Sequence, residues 1–281
     1  MKSLEKNNLF ENLQILKKEG LKKIGLIDLK KINKKNTDNL ELYRQTIKKV
    51  VQLKDEKRKV WIRKQNEFDS DYYEQGVQTK KSGYQNYRWM PELTMRMVHH
   101  MIVDLGIKKK QKVLDFGCAK GYSVKSFRMF DIDAYGVDIS SYAIQSVIPD
   151  KWKTPEYCKL IVDWEMPFKN IKFDWIIAKD AIEHLNEEEL SKFLKMSKKN
   201  GKRIFTAVPL GQKINGKEKF VIDNYEGDIT HIIRKPPQWW KKIFETHGWK
   251  VKSFKYTMPP IKENWTIPYP KGNGFFILEK N

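Results

Sequence analysis

The residues best placed to do chemistry stand in the stretch Lys112–Tyr122, KVLDFGCAKGY. An apolar run there ends in an acid, Asp115. A glycine-spaced loop, Gly117-Cys118-Ala119-Lys120-Gly121, then leads into a segment carrying Val124, Phe127 and Phe130 at helical spacing. Glycine has no Cβ, so such a loop turns tightly and lets a ligand lie against bare backbone. The helix that follows offers unpaired N–H groups at its start. A dinucleotide site would space its glycines G-x-G-x-x-G and bring a pyrophosphate onto that helix terminus. The wider spacing here, with an acid just ahead of it, suits a ligand with an amino-acid end and no pyrophosphate.

Three further positions extend the pattern. Asp138 closes the next apolar run, YGVDIS, 138 − 117 = 21 residues after the first loop glycine. An acid at that distance sits at the tip of the adjacent strand, where its oxygens can accept both hydroxyls of a ribose. Asp163 follows the third run, within reach of an adenine amino group, and Trp164 beside it supplies an apolar face. Lys179 and Asp180 end the fourth run, FDWIIAKD, at the place where open α/β sheets bind ligands. The expected cofactor contacts are therefore Asp115, Gly117, Cys118, Gly121, Asp138, Ile139, Asp163, Trp164 and Lys179.

The elements that must position these residues follow from hydrophobic periodicity. After Lys112 short apolar strands alternate with helices, as a parallel sheet covered on both faces requires. The strands read as Lys112–Phe116, Ala134–Val137, Lys159–Val162, Phe173–Ala178 and Arg203–Ala207. Two more, near Lys250–Tyr256 and Gly274–Glu279, have no helix between them and should pair antiparallel. Asn186 and Glu189 form a capping-box pattern ahead of Leu190, Phe193 and Leu194. Pro236 and Pro237 open a second helix that buries Trp240, Ile243 and Phe244 and stops at Gly248. A further helix is expected from Pro91 to about Leu105.

In this order of features the chain resembles the class I S-adenosylmethionine-dependent methyltransferases, of the small-molecule and glycan type. The order is glycine loop, ribose acid, adenine acid, EHL turn, then G-D-x-T-H and P-x-x-W-W, and the match runs from about Gln111 to the C-terminus. The resemblance implies an α/β, three-layer, Rossmann-like seven-stranded sheet, mostly parallel with an antiparallel last strand. It implies S-adenosyl-L-methionine as the methyl donor, bound by Asp115, Gly117, Gly121, Asp138 and Asp163. The acceptor would approach from the strand tips. Methyl transfer to oxygen needs a base, and His231 in Gly-Asp-Ile-Thr-His is the first candidate, with His184 and Asp180 as the other catalytic candidates. Asp180, Glu183, His184 and His231 also make a D-x-x-E-H pattern similar to the E-x-x-E-H turn of metal-assisted O-methyltransferases. Because Asp replaces the first Glu, the metal-free reading is preferred and no metal ligand is assigned.

Composition bounds the remaining readings. The net charge is +20, but only eight of the 55 basic residues are Arg, the side chain best suited to bidentate phosphate and base recognition. The charge is therefore read as solvated surface, and an RNA-modifying methyltransferase gripping phosphate through its basic N-terminal helices is kept as the alternative. A binding protein that retains the pocket without activity is a second one. Two cysteines, Cys118 and Cys158, lie outside any metal spacing and read as buried thiols. The polar start MKSLEKNN and the lack of a long apolar run lead us to expect a cytoplasmic protein without a membrane span. Three regions are expected: a Lys-rich helical extension over 1–66, an aromatic cap segment and lead-in helix over 67–110, and the methyltransferase domain over 111–281. Tyr84, Tyr87, the loop from Pro209 to His231 and the insertion from Met258 to Pro270 are expected around the acceptor, a small molecule or glycan.

Overall fold

The computed structural model describes residues 46, 49, 50 and 52–281; the helical spacing expected from Leu9 to Tyr43 and at Ile47 lies outside them. In chain order the elements are α1 (Asp55–Glu67), α2 (Ser70–Glu74), α3 (Gly76–Thr79), α4 (Pro91–Leu105), β1 (Lys112–Phe116), α5 (Tyr122–Met129) and β2 (Asp133–Asp138). There follow α6 (Ser141–Gln145), α7 (Thr154–Tyr157), β3 (Cys158–Leu160), β4 (Phe173–Lys179), α8 (Glu187–Asn200), β5 (Gly201–Pro209), β6 (Gly211–Ile214) and β7 (Lys217–Phe220). The chain ends with α9 (Pro237–Thr246), β8 (Trp249–Lys255), α10 (Glu263–Thr266) and β9 (Asn273–Lys280). Single 3₁₀ turns occupy Ile182–His184 and Asp223–Gly227.

Seven strands form one sheet in the order β3-β2-β1-β4-β5-β9-β8. β1 to β5 pair parallel, and β9 runs antiparallel to both β5 and β8. This is the three-layer α/β architecture with a reversed last strand. Alternation along each strand divides the core into two. Val113 and Trp175 turn to the face that holds Val98 and Met101 of α4 and Phe127 of α5. Leu114 and Ile176 turn to the face that holds Phe193 and Leu194 of α8 and Trp240 and Phe244 of α9. A strand buried on both faces needs apolar residues at consecutive positions, which explains the unbroken VL and WIIA runs.

The helix signals hold. Asn186 accepts from Glu189 N while the Glu189 side chain accepts from Asn186 N, a complete capping box. Pro236 caps α9, and Gly248, in the left-handed region at φ 74°, follows its end. Three expectations are corrected. The third strand stops at Leu160 instead of Val162, because the backbone turns at Asp163 and Trp164, both with positive φ. A four-residue helix, α10, does lie between β8 and β9; it leaves their antiparallel pairing intact because the connection never crosses the sheet. The hairpin β6–β7 was not anticipated, although its turn carries Asn215-Gly216 with φ of 49° and 79°, a favoured hairpin pair.

Two substitutions separate cap from core on α8. Asn186→Ala is expected to cost about 1 kcal/mol and Phe193→Ala about 3–5 kcal/mol. Urea denaturation reads both; a Phe193 loss no larger than the Asn186 loss would contradict the packing described.

Candidate functional site

Every feature picked out at a strand tip falls on the same edge of the sheet. After β1 the loop turns at Gly117, φ 79°, where a Cβ would meet Ala181 Cβ at 2.8 Å. Gly121 caps α5 at φ 74°, with Cys158 Sγ filling the space a Cβ would need. Asp138 holds this loop to the end of β2: Oδ2 accepts from Ala119 N and Oδ1 from Ser140 N, both at 2.7 Å. Burial pushes the Asp138 carboxyl up to about 6, and those N–H donors offset part of the rise. Asp115 is buried beneath the loop. Burial pushes it up to about 7, with Lys179 pulling the other way.

The tips enclose a cleft of about 880 Å³, open space at its mouth included. Of the expected cofactor contacts, Gly117, Asp138, Ile139, Asp163 and Trp164 line it. Asp115, Cys118, Gly121 and Lys179 do not line it; Cys118 is buried in the core beside Cys158. Trp164 lies nearly parallel to Phe116, ring centroids 6.1 Å apart. Among the catalytic candidates, Asp180 and His184 line the cleft. His231 stands behind His184, ring centroids 4.7 Å apart.

The other wall comes from α1, whose contribution the sequence did not announce, and from the aromatic segment that begins at Phe68. Lys57 of α1 donates to Asp163 Oδ2 at 2.7 Å. Lys64, almost wholly buried, donates to the His184 carbonyl at 3.1 Å. Gln65 bridges both sides of the ribose-acid turn, donating to Ile139 O at 2.6 Å and accepting from Ser141 N at 2.9 Å. Phe68, Tyr72, Tyr73 and Tyr84 complete this aromatic cover. No local signal marks Lys57, Lys64 or Gln65 within a lysine-rich run; only the tertiary arrangement does.

At the far end Asp180 accepts from Lys179 and Lys262, each at 2.5 Å. Burial alone would raise its pKa, but the two lysines hold it well below the carboxylate range. Glu183 is pushed up to about 8 by burial and by the neighbouring Asp180. His184 is held down to about 3, first by burial and then by His231. The His184 ring bonds Thr230 Oγ1 at 2.8 Å, Thr230 donates to Asp228 Oδ1, and Asp228 Oδ2 accepts from Tyr72 Oη at 2.9 Å. A polar chain thus links the aromatic cover to the imidazoles.

A family model described as a methyltransferase domain matches residues 84–253, more than half of the chain. The chain belongs to this methyltransferase family. Among the curated proteins, none matches the sequence. Solved structures with a similar fold include the methyltransferase in a complex with the Haloferax volcanii Trm112 methyltransferase activator, with a TM-score of 0.50 and 13% identity over 68% of this chain and 92% of that one. Another is an S-adenosylmethionine-dependent methyltransferase from Clostridium acetobutylicum, TM-score 0.49 and 10% identity over 68% and 92%. A third is the glycopeptide N-methyltransferase MtfA solved with S-adenosyl-L-methionine, TM-score 0.48 and 9% identity over 67% and 94%. At 13% identity the likeness to the first of these is one of fold alone.

The residues present fit S-adenosylmethionine, the methyl donor expected from the sequence. Gly117 leaves bare backbone on the cleft, Asp138 brings a carboxylate to the end of β2, and Asp163 with Trp164 offers an acid and a flat apolar face. No described helix is long and apolar enough to cross a membrane.

Two measurements follow from these electrostatics. Between about pH 4 and about pH 7 folded Asp115 retains a proton that the unfolded chain has released, so its contribution makes stability fall as pH rises through that window. Asp115→Asn removes the effect, and its stability relative to the parent should increase from about pH 5 to about pH 8 in urea titrations; a constant difference would show the carboxyl to be ionised throughout. The Lys57–Asp163 pair is largely exposed on the lysine side, so Lys57→Ala should change stability by less than about 1 kcal/mol. The same substitution frees the acid expected to meet adenine, and calorimetry should show tighter S-adenosylhomocysteine binding. Weaker binding would mean that Lys57 assists the ligand instead of competing with it.

Proposed function

We propose that this methyltransferase transfers a methyl group from S-adenosylmethionine to a hydroxyl of a small-molecule or sugar-containing acceptor. The supporting observation is the cleft itself, which Asp138 and Asp163 line together with His184, backed by His231, and Asp180, held by Lys179 and Lys262. The donor supplies a methyl group already made electrophilic by its positively charged sulfur. Gly117, Asp138, Asp163 and Trp164 then have only to fix that group in line with the acceptor, and the aromatic cover excludes water. Two lysines around one carboxylate leave that cluster with one net positive charge. Such an environment favours negative charge developing on an acceptor oxygen and disfavours a protonated amine.

The acceptor's proton must leave as the new C–O bond forms. His184 is the imidazole that reaches the cleft, and with its Nδ1 engaged by Thr230, Nε2 remains to take that proton, with His231 behind it. Tyr84 and the loop before α9 shape the acceptor's side of the site.

The test is turnover. Purified protein is incubated with S-adenosylmethionine and a panel of hydroxylated sugars and aromatic alcohols, and products are read by mass spectrometry as methyl adducts. Asp138→Ala should weaken S-adenosylhomocysteine binding by at least about tenfold, about 1.4 kcal/mol, and His184→Gln should lower kcat with little change in donor affinity. Donor binding without methylation of any acceptor would leave a binding protein. Methylation of RNA alone, lost at high salt, would move the acceptor to nucleic acid.

A further inference from the structure

Tyr84 is packed inside the aromatic cover and yet is open to the cleft. The rings of Tyr72, Tyr73 and Tyr87 surround it, with centroids 5.6, 6.2 and 4.9 Å away. Its backbone is pinned on both sides: Tyr84 N donates to Ser82 Oγ at 3.2 Å, and the Tyr84 carbonyl accepts from Val77 N at 3.0 Å. In spite of this enclosure 36% of the residue is accessible, and it lines the cleft with Asp138, Asp180 and His184. Tyr72 and Tyr73, which also line the cleft, are buried.

The Tyr84 hydroxyl bonds no other group among the described residues. Burial, and then the carboxyls of Asp180, Asp228, Glu183 and Asp138, raise its pKa far above the usual phenol value. It therefore keeps its proton at neutral pH and stands in the cleft as a donor with nothing to donate to. Tyr72 connects it to the imidazole end, packing edge-on against Tyr84 and donating to Asp228, which accepts from Thr230 beside the His184 ring.

What such a donor selects follows from counting protons and lone pairs. Thr230 Oγ1 gives its single proton to Asp228 Oδ1 at 2.5 Å, so it accepts from His184 Nδ1 and leaves His184 Nε2 bare. An acceptor hydroxyl that reaches both groups brings one proton and two lone pairs. The proton faces His184 Nε2, one pair accepts from Tyr84, and the other pair is left for the methyl carbon. A neutral primary amine brings two protons and a single pair. Once that pair accepts from Tyr84, none is left to attack.

We propose that Tyr84 selects a hydroxyl over an amine as the methyl acceptor, by donating to one lone pair of the acceptor oxygen while His184 takes its proton. The assignment rests on the methyl-transfer reading. In the step itself the second oxygen pair forms the bond to the methyl carbon, and the sulfur–carbon bond breaks with its electrons returning to sulfur. The O–H proton passes to His184 Nε2 and leaves its electrons on oxygen; the Tyr84 proton stays where it is. The Lys179–Asp180–Lys262 cluster discriminates by charge, whereas Tyr84 discriminates against uncharged amines as well.

The full chain is assayed with S-adenosylmethionine and matched acceptors, each an alcohol and the amine of the same skeleton, on aromatic and sugar frames. Aromatic alcohols and amines are both uncharged at neutral pH, and the amine is the better nucleophile, so neither charge nor intrinsic reactivity favours the alcohol. Rates are read by mass spectrometry and S-adenosylhomocysteine affinity by calorimetry. The parent should methylate the alcohol at least about tenfold faster than its amine, the scale of one hydrogen bond at the reacting atom. Tyr84→Phe keeps the ring and its packing; it should bring kcat/KM for the two members to within about threefold of each other, with S-adenosylhomocysteine affinity retained. Equal rates in the parent overturn the inference without any variant. A Tyr84→Phe protein that binds S-adenosylhomocysteine and keeps the parent's ratio overturns it too, and in both cases methyl transfer itself stands. A parent that methylates neither member of any pair overturns this selection and the methyl-transfer reading together.

Discussion

A parallel sheet leaves the last peptide groups of its strands without ladder partners at the carboxyl edge, and this chain's binding groups all stand on that constraint. The Asp138 carboxylate resolves it for two segments at once. Placed at the end of β2, it accepts from Ala119 N in the glycine loop and from Ser140 N at the start of the next turn. The glycine loop, Asp138 and the start of α6 are thereby held together as one unit. The carboxyl stays ionised near neutrality because those donors counter part of its burial.

The second layer of organisation is the cover formed by α1, α2 and the tyrosines. Its fastenings on the same edge include Lys57 at Asp163, Gln65 at the turn after Asp138, and Lys64 at the His184 carbonyl. On the proposed reading, a donor that meets Asp163 takes the place of Lys57 there. The Tyr72–Asp228–Thr230–His184 chain ties the same cover to the far end of the cleft.

How much of this was legible in the sequence depended on range. The strand tips were readable because unbroken apolar runs and the glycine spacing are local, and Gly117, Asp138, Ile139, Asp163, Trp164, Asp180 and His184 do share one cleft. The capping box at Asn186 and Glu189 was legible for the same reason. The inward turn of Lys64 was not, because nothing within a few residues distinguishes it from the lysines around it, and its partners lie at His184 and Glu189. The early stop of β3 was hidden too. Positive φ at Asp163 and Trp164 belongs to the tight turn that Glu165 N closes onto the Val162 carbonyl, and a bulky residue such as Trp gives no sequence signal for that conformation.

Position along the cleft also explains why His184 and His231 differ although both were candidates. His184 sits on the turn that follows β4, so its place is fixed by the sheet, and its ring reaches the cleft while bonding Thr230. His231 belongs to a loop and is located by the Tyr225 carbonyl and by contact with His184. A base must touch the proton it removes, which favours His184 for direct contact. His231 reaches the cleft only through the His184 ring that lies in front of it. Held by Lys179 and Lys262, Asp180 brings no uncompensated negative charge to that end of the cleft; on the proposed reading, negative charge developing on an acceptor oxygen is stabilised there.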